Sequence, residues 1–185
     1  MRKLKLQVQM SLDGYMAGPN GEMDWLVFDW DQELKEYVAT LTESVDCILL
    51  GRKLAQGFIP HWASHPDLEG AAQMNQAKKV VFTKTLVQSE WANTVLAQGD
   101  LVDEITALKQ QAGGDLIVYG GGEFVASLVK EGLIDEYHLF INPTALGTGM
   151  PIFDQVRANY ALQLIKSTAF RCGIVALHYA LPRND

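Results

Sequence analysis

An α/β domain built on a mostly parallel sheet is predicted for this chain on three observations. Short apolar runs alternate with segments of helical apolar spacing from residue 3 to residue 142. That order lays strands side by side in parallel, with helices covering both faces of the sheet. The last two apolar runs, roughly 162–170 and 174–181, are separated only by Arg171-Cys172-Gly173, which predicts an antiparallel hairpin at the sheet's edge.

Each element has its own local signal. Residues 3–10 alternate polar with apolar (Leu4, Leu6, Val8, Met10) and read as a strand. The stretch from Ser11 to Trp30 holds Gly14, Gly18, Pro19, Asn20 and Gly21 and reads as a long loop, a length that often carries function. Leu34, Tyr37, Val38 and Leu41 recur at helical spacing, so a helix is expected over 32–44 with Asp31 placed to cap it. A strand at 47–50 ends in Gly51-Arg52-Lys53, and a short helix runs on toward Phe58. Residues 59–75, with Pro60 and Pro66, read as loop. Strands follow at 79–83 and 94–97, then a helix capped by Asp100 that runs to Gln111. The strand 115–119 opens through three glycines into a helix over 122–131, which Gly132 stops, and a strand follows at 136–142.

A chain of 185 residues with no low-complexity tract is expected to form one domain, 1–185, with a substantial core. The net charge of −7 argues against nucleic acid and anionic membrane surfaces as partners and leaves a small-molecule substrate. No apolar run approaches membrane-spanning length, and the alternating start is a strand pattern, not a signal peptide. Cys47 and Cys172 sit in different apolar strands and read as free, buried thiols of a cytoplasmic protein. Charge is uneven, however: Arg52, Lys53, Lys78, Lys79 and Lys84 face only Asp67 and Glu69 over the same stretch. That zone fits a small anionic ligand or, equally, a solvated face.

In an open parallel sheet, ligands sit beyond the carboxyl ends of the strands. Three features fall there together: Gly51-Arg52-Lys53, Thr83-Lys84 and Gly120-Gly121-Gly122. A glycine run before a helix lets another body approach the backbone, and the helix start offers free N–H groups to a phosphate. Arginine adds a two-pronged phosphate contact and lysine a point charge. Several anion positions of this kind describe NADPH better than NADH. Taken singly, each is also compatible with a tight turn or a solvent-facing basic residue.

Three motifs in order, S-L-D-G-Y-M-A-G-P-N-G-E-M-D-W, I-L-L-G-R-K and V-Y-G-G-G-E-F, followed by the tail L-I-D-E-Y-H-L-F-I-N-P-T-A-L-G-T-G-M-P-I-F, resemble the dihydrofolate reductase superfamily. The likeness covers essentially the whole chain and is nearest to the branch of the reductase domain of bacterial riboflavin biosynthesis. It implies a three-layer α/β/α dihydrofolate reductase-like fold, a mostly parallel mixed sheet with a C-terminal antiparallel hairpin, and NADPH as cofactor. Hydride would pass to a nitrogen heterocycle or a ribosylated aminopyrimidine. Dihydrofolate reduction and a non-catalytic NADPH-binding protein are the alternatives.

Carried over by position, Gly51, Arg52 and Lys53 would meet phosphates, and Thr83 and Lys84 would flank the adenosine 2′-phosphate. Gly120, Gly121, Gly122, Glu123 and Phe124 would wrap the pyrophosphate, with a cis peptide joining Gly120 and Gly121. Substrate would lie against Asp13, Trp25 and Tyr119. The active-site carboxylate of the superfamily has two candidates here, Asp29 and Asp31, of which Asp29 is the favoured catalytic acid and Asp31 the better helix cap. The resemblance further implies a homodimer. No H-x-E with P-C-x-x-C occurs, so a stand-alone reductase without a deaminase module is expected. His61 and His65 stand four apart without a third ligand, and no metal is expected.

Overall fold

The computed structural model describes residues 1–182. In chain order the elements are β1 (Leu4–Met10), β2 (Tyr15–Ala17), α1 (Gln32–Thr42), β3 (Val45–Gly51), α2 (Arg52–Ser64), α3 (Ala71–Gln76) and β4 (Lys78–Phe82). They continue with β5 (Thr94–Ala97), α4 (Leu101–Gln110), β6 (Asp115–Val118), α5 (Gly122–Lys130), β7 (Glu136–Ile141), β8 (Met150–Pro151), β9 (Gln163–Ala169) and β10 (Val175–Ala180). Eight strands form one sheet in the order β5-β4-β3-β6-β1-β7-β10-β9. The first six of these are mutually parallel; β10 runs antiparallel to β7 and to β9. The expected mixed sheet and terminal hairpin are both present.

Strand alternation divides the core. Cys47 and Leu49 of β3 and Leu4, Leu6, Val8 and Met10 of β1 face α4 and α5, which return Ile105, Leu108, Val125, Leu128 and Val129. From the opposite face, Ile48, Leu50, Ile117 and Val81 meet Ala55 and Ile59 of α2. On that same face, Phe140 and Ala176 meet Leu34 and Leu41 of α1. Because side chains alternate strictly, a one-residue slip would exchange the two faces, so the buried pattern fixes the register.

Three expectations need correction. Residues 59–75 are mainly helical: α2 continues through Pro60 to Ser64, and α3 adds a further turn. Proline breaks helices by losing an N–H and crowding the previous turn, but burial of Ala55 and Ile59 holds this one together. The long first loop is not wholly irregular, since Tyr15–Ala17 pairs antiparallel with Met150–Pro151 as a separate two-stranded ribbon. Cys172 lies in the turn between β9 and β10, half-buried, while Cys47 is buried as expected.

Candidate functional site

Parallel alignment brings the carboxyl ends of β1, β3, β4 and β6 to one edge, and with them Ser11, Gly51, Thr83 and Tyr119. The two helices that start at this edge from β3 and β6 lie against each other. A Cβ on Gly51 would stand 3.0 Å from Phe124 Cβ, and one on Gly121 would stand 3.7 Å from Leu54 Cβ. Lys53 Nζ reaches Glu123 Oε2 at 3.0 Å across the same seam. Phe124 also packs on Phe82, ring centroids 5.0 Å apart.

Among the described helices of eight residues or more, side-chain caps divide α1 and α4 from α2 and α5; the short α3 likewise starts on a glycine, Gly70, without one. Asp31 caps α1 by accepting from Leu34 N–H, and Asp100 caps α4 by accepting from Val102 and Asp103 N–H. Helices α2 and α5 begin on Gly51 and Gly121 with no side-chain cap at all. Unpaired N–H groups and the positive dipole ends of two neighbouring helices therefore share one edge. Gly121 takes a left-handed φ of 85°, which suits glycine. The cis peptide implied between Gly120 and Gly121 is not present; none occurs among the described residues.

The glycine run is approached closely, and by the protein itself. Built Cβ atoms on Gly120 and Gly122 would meet Met16 Cε at 3.3 Å and Met16 Sδ at 3.5 Å, with Met150 beside Gly122. The β2–β8 ribbon thus lays two methionines over the run. Neither methionine was flagged by sequence, because strands of three and two residues are too short to show a period.

The predicted residues divide into those gathered at this edge and those engaged elsewhere. Arg52 is half-buried and reaches Gln56 at 3.4 Å. Thr83 is buried, its hydroxyl accepting from Thr85 and Leu86 N–H, so it orders the turn after β4. Lys84 donates to the Gln98 and Gly99 carbonyls at 2.7 and 2.6 Å. The basic zone is not one patch. Lys79 is buried and donates to the Asn75 and Ala77 carbonyls behind α3, where desolvation lowers its pKa. Lys78 stands at the opposite end of β4 from Thr83.

Asp13 is a tie between loops. It accepts from Ser11 Oγ at 2.6 Å and from Leu146 and Gly147 N–H, and these bonds, Ser11's foremost, bring its pKa down to about 2. Trp25 is half-buried, its ring N–H donating to the Glu22 carbonyl. Tyr119 stacks on Phe58 with centroids 5.8 Å apart, and burial raises its phenol pKa. Of the two acids, Asp31 spans α1 and the terminal hairpin, accepting from Leu34 N–H and, 3.0 Å away, from Cys172 N–H. The N–H of Leu34 is the chief cause of its lowered pKa. Asp29, the favoured catalytic acid, is exposed. Among the described residues no helix is long and apolar enough to cross a membrane.

Known proteins resemble this chain in sequence or in fold. Uncharacterized protein YyaP of Bacillus subtilis (strain 168) is 33% identical over 184 residues, spanning 96% of this chain and 94% of that protein. A crystal structure of a putative riboflavin biosynthesis protein from Shewanella sp. PV-4 superposes with a TM-score of 0.75 at 25% identity, covering 99% of this chain and 100% of that one. A Thermotoga maritima diaminohydroxyphosphoribosylaminopyrimidine deaminase/5-amino-6-(5-phosphoribosylamino)uracil reductase gives 0.71 at 16% identity. There the match covers 98% of this chain but 57% of the larger protein, and it bears on fold alone. The family model for the RibD C-terminal domain matches residues 2–176. With the sheet order, the paired helix starts and this match over nearly its whole length, the chain belongs to the RibD C-terminal domain family.

Proposed function

We propose that this protein is a cytoplasmic NADPH-dependent reductase, its residues 1–185 forming one reductase domain, that delivers hydride to a nitrogen heterocycle or ribosylated aminopyrimidine. The activity in the Thermotoga relative's name, 5-amino-6-(5-phosphoribosylamino)uracil reduction, is the nearest chemical description. The observation that carries the reading is the pair of uncapped helix starts, α2 and α5, held side by side at the carboxyl edge of the sheet. Two positive dipole ends with free N–H groups suit a pyrophosphate, and Arg52 and Lys53 add charge beside them.

Gly120 to Phe124 and Gly51 supply backbone donors to the pyrophosphate, while Lys84, from the neighbouring strand end, meets the 2′-phosphate beside Thr83. Lys84 would exchange one of its two carbonyl contacts for that anion. The bound nicotinamide supplies the hydride. Asp13 holds the loop after β1 against residues 146–147, and Trp25 and Tyr119 offer the flat faces that a ring substrate stacks on. Asp29 is the acid assigned to protonation, and its exposure requires the loop before α1 to fold inward when substrate binds.

That exposure also favours a second reading, a protein that binds NADPH without hydride transfer. Calorimetric titration with NADPH and with NADH tests the cofactor site; loss of nicotinamide absorbance with pterins and aminopyrimidines then tests turnover. Tight NADPH with steady turnover is expected. No heat with either nucleotide refutes the cofactor site, and binding without turnover selects the second reading. The homodimer is assigned to the open edge of β9, where Leu164 and Ile165 are each about half exposed. A monomeric mass in light scattering would remove it.

A further inference from the structure

At the other end of the sheet, beyond reach of the proposed cofactor edge, three metal-ligating side chains meet on adjacent strands. Glu136 and His138 alternate on β7 and point to the same face; His178 sits on β10 directly opposite His138. The two imidazole rings stack with centroids 4.1 Å apart, inclined by 23°. His138 is 4% exposed, yet its Nδ1 has no hydrogen-bond partner, and the buried Nε2 atoms of His138 and His178 have only the Glu136 carboxylate near them, at 3.5 and 3.7 Å. Buried polar atoms are normally fully paired, and two buried imidazoles that share one carboxylate at long range ask for an occupant between them.

We infer that Glu136, His138 and His178 form a divalent transition-metal site, with Zn²⁺ the cation that fits best. Glu136 Oε2 stands 3.5 Å from His138 Nε2 and 3.7 Å from His178 Nε2. Ligands on a tetrahedral ion at bond lengths of about 2.0–2.2 Å lie about 3.3–3.6 Å from one another, so these separations need only slight closing. One ligand atom from each of the three residues lies within 4.8 Å of the other two. Histidine χ2 is a soft torsion, which lets both rings turn until their lone pairs converge on one ion.

Three lysines stand around the site, Lys166 opposite His178 on β9 and Lys3 and Lys5 close enough to act on His178, and the last two are each held by a carboxylate. Lys3 Nζ binds the other carboxylate oxygen, Glu136 Oε1, at 2.6 Å, and so orients the carboxylate with Oε2 toward the imidazoles. Lys5 is drawn away to Asp115, Ser44 and the Leu41 carbonyl. Two imidazoles and a carboxylate make a set of three protein ligands, and a water completes the tetrahedron. Access is available: Glu136 and His178 line a groove of about 810 Å³ bounded by Met1–Lys3, Gln163 and Ile165. A metal here would tie β7 to β10, the junction where the sheet changes from parallel to antiparallel.

The test uses the full chain, freed of metal with a chelator and titrated with Zn²⁺ by calorimetry. Binding of one ion per chain is expected, weakened at least about tenfold in His138→Ala and in His178→Ala, with His61→Ala unchanged as the control for the exposed His61–His65 pair. Co²⁺ provides a second readout: the wild-type complex should show the visible absorption of a tetrahedral site, and His178→Gln, folded by circular dichroism, should lack it. Absence of Zn²⁺ binding by the wild-type protein overturns the inference. So does binding that survives both His138 and His178 substitutions or that is lost in His61→Ala. NADPH binding rests on the opposite edge and is independent of every outcome.

Discussion

Lys53 and Glu123 form an ion pair at 3.0 Å that spans the first turns of α2 and α5. Both side chains are about three-quarters exposed or more, so the pair adds little to stability, on the order of 0–1 kcal/mol. Its consequence is electrostatic, because Glu123 occupies Lys53 where an anion is proposed to bind. Glu123→Gln should leave thermal unfolding almost unchanged and tighten NADPH binding. Calorimetry at low salt checks this; weaker NADPH binding would make Glu123 itself a cofactor ligand.

Arg52 follows an uncapped helix start and makes only a long contact to Gln56. Arg52→Ala should weaken NADPH by roughly 1.5–3 kcal/mol, the range for charge-assisted hydrogen bonds, without lowering the melting temperature. Lys84→Gln should lose affinity for NADPH but not for NADH. Equal losses for the two nucleotides would take Lys84 off the 2′-phosphate.

Gly149 and Gly120 look alike in sequence but should respond differently to alanine. A Cβ on Gly149 would stand 2.3 Å from the Ala17 carbonyl oxygen, an immovable backbone atom of β2. Gly149→Ala should therefore displace the β2–β8 ribbon and cost about 1–3 kcal/mol, as for other overpacked sites. A Cβ on Gly120 meets the end of the flexible Met16 side chain at 3.3 Å, so Gly120→Ala should cost less. Urea unfolding of the two variants decides the order.

Asp31 and Asp29 should separate cleanly. Asp31→Ala removes the α1 cap and the acceptor for Cys172 N–H, and should lower the melting temperature measurably. Asp29→Asn, at an exposed position, should leave stability and NADPH affinity intact while lowering turnover. Unchanged turnover at every pH would remove Asp29 from the chemistry.

Asp13 predicts a pH dependence. Its folded pKa is about 2, below the ordinary 3.8, because Ser11 and the N–H groups of Leu146 and Gly147 favour the ionised form. The folded state therefore gains from ionised Asp13 above about pH 4, and that gain is lost as pH falls toward 2. Asp13→Asn should flatten this part of the stability curve relative to wild type. An identical slope in chemical denaturation between pH 4 and 2 would contradict the assignment.

The sequence by itself determined the alternation of strands and helices, the terminal hairpin, the caps at Asp31 and Asp100, and the strand ends that face the proposed ligand edge. These are local matters: apolar period, turn chemistry and capping act over a few residues and are written in them. It also yielded the family, through motifs spread along the chain. Tertiary structure alone decided that α2 runs through Pro60, because the burial of Ala55 and Ile59 outweighs the local signal of proline. It brought Met16 and Met150 over the glycine run and turned Lys79 inward to helix carbonyls, away from the other basic residues. Glu136, His138 and His178 were invisible for the same reason: two lie one strand apart from the third, across forty residues of sequence, and only antiparallel pairing of β7 with β10 sets His138 opposite His178. Contacts of that range depend on which strands become neighbours, and that is fixed by the collective burial of both sheet faces, not by any segment's own pattern.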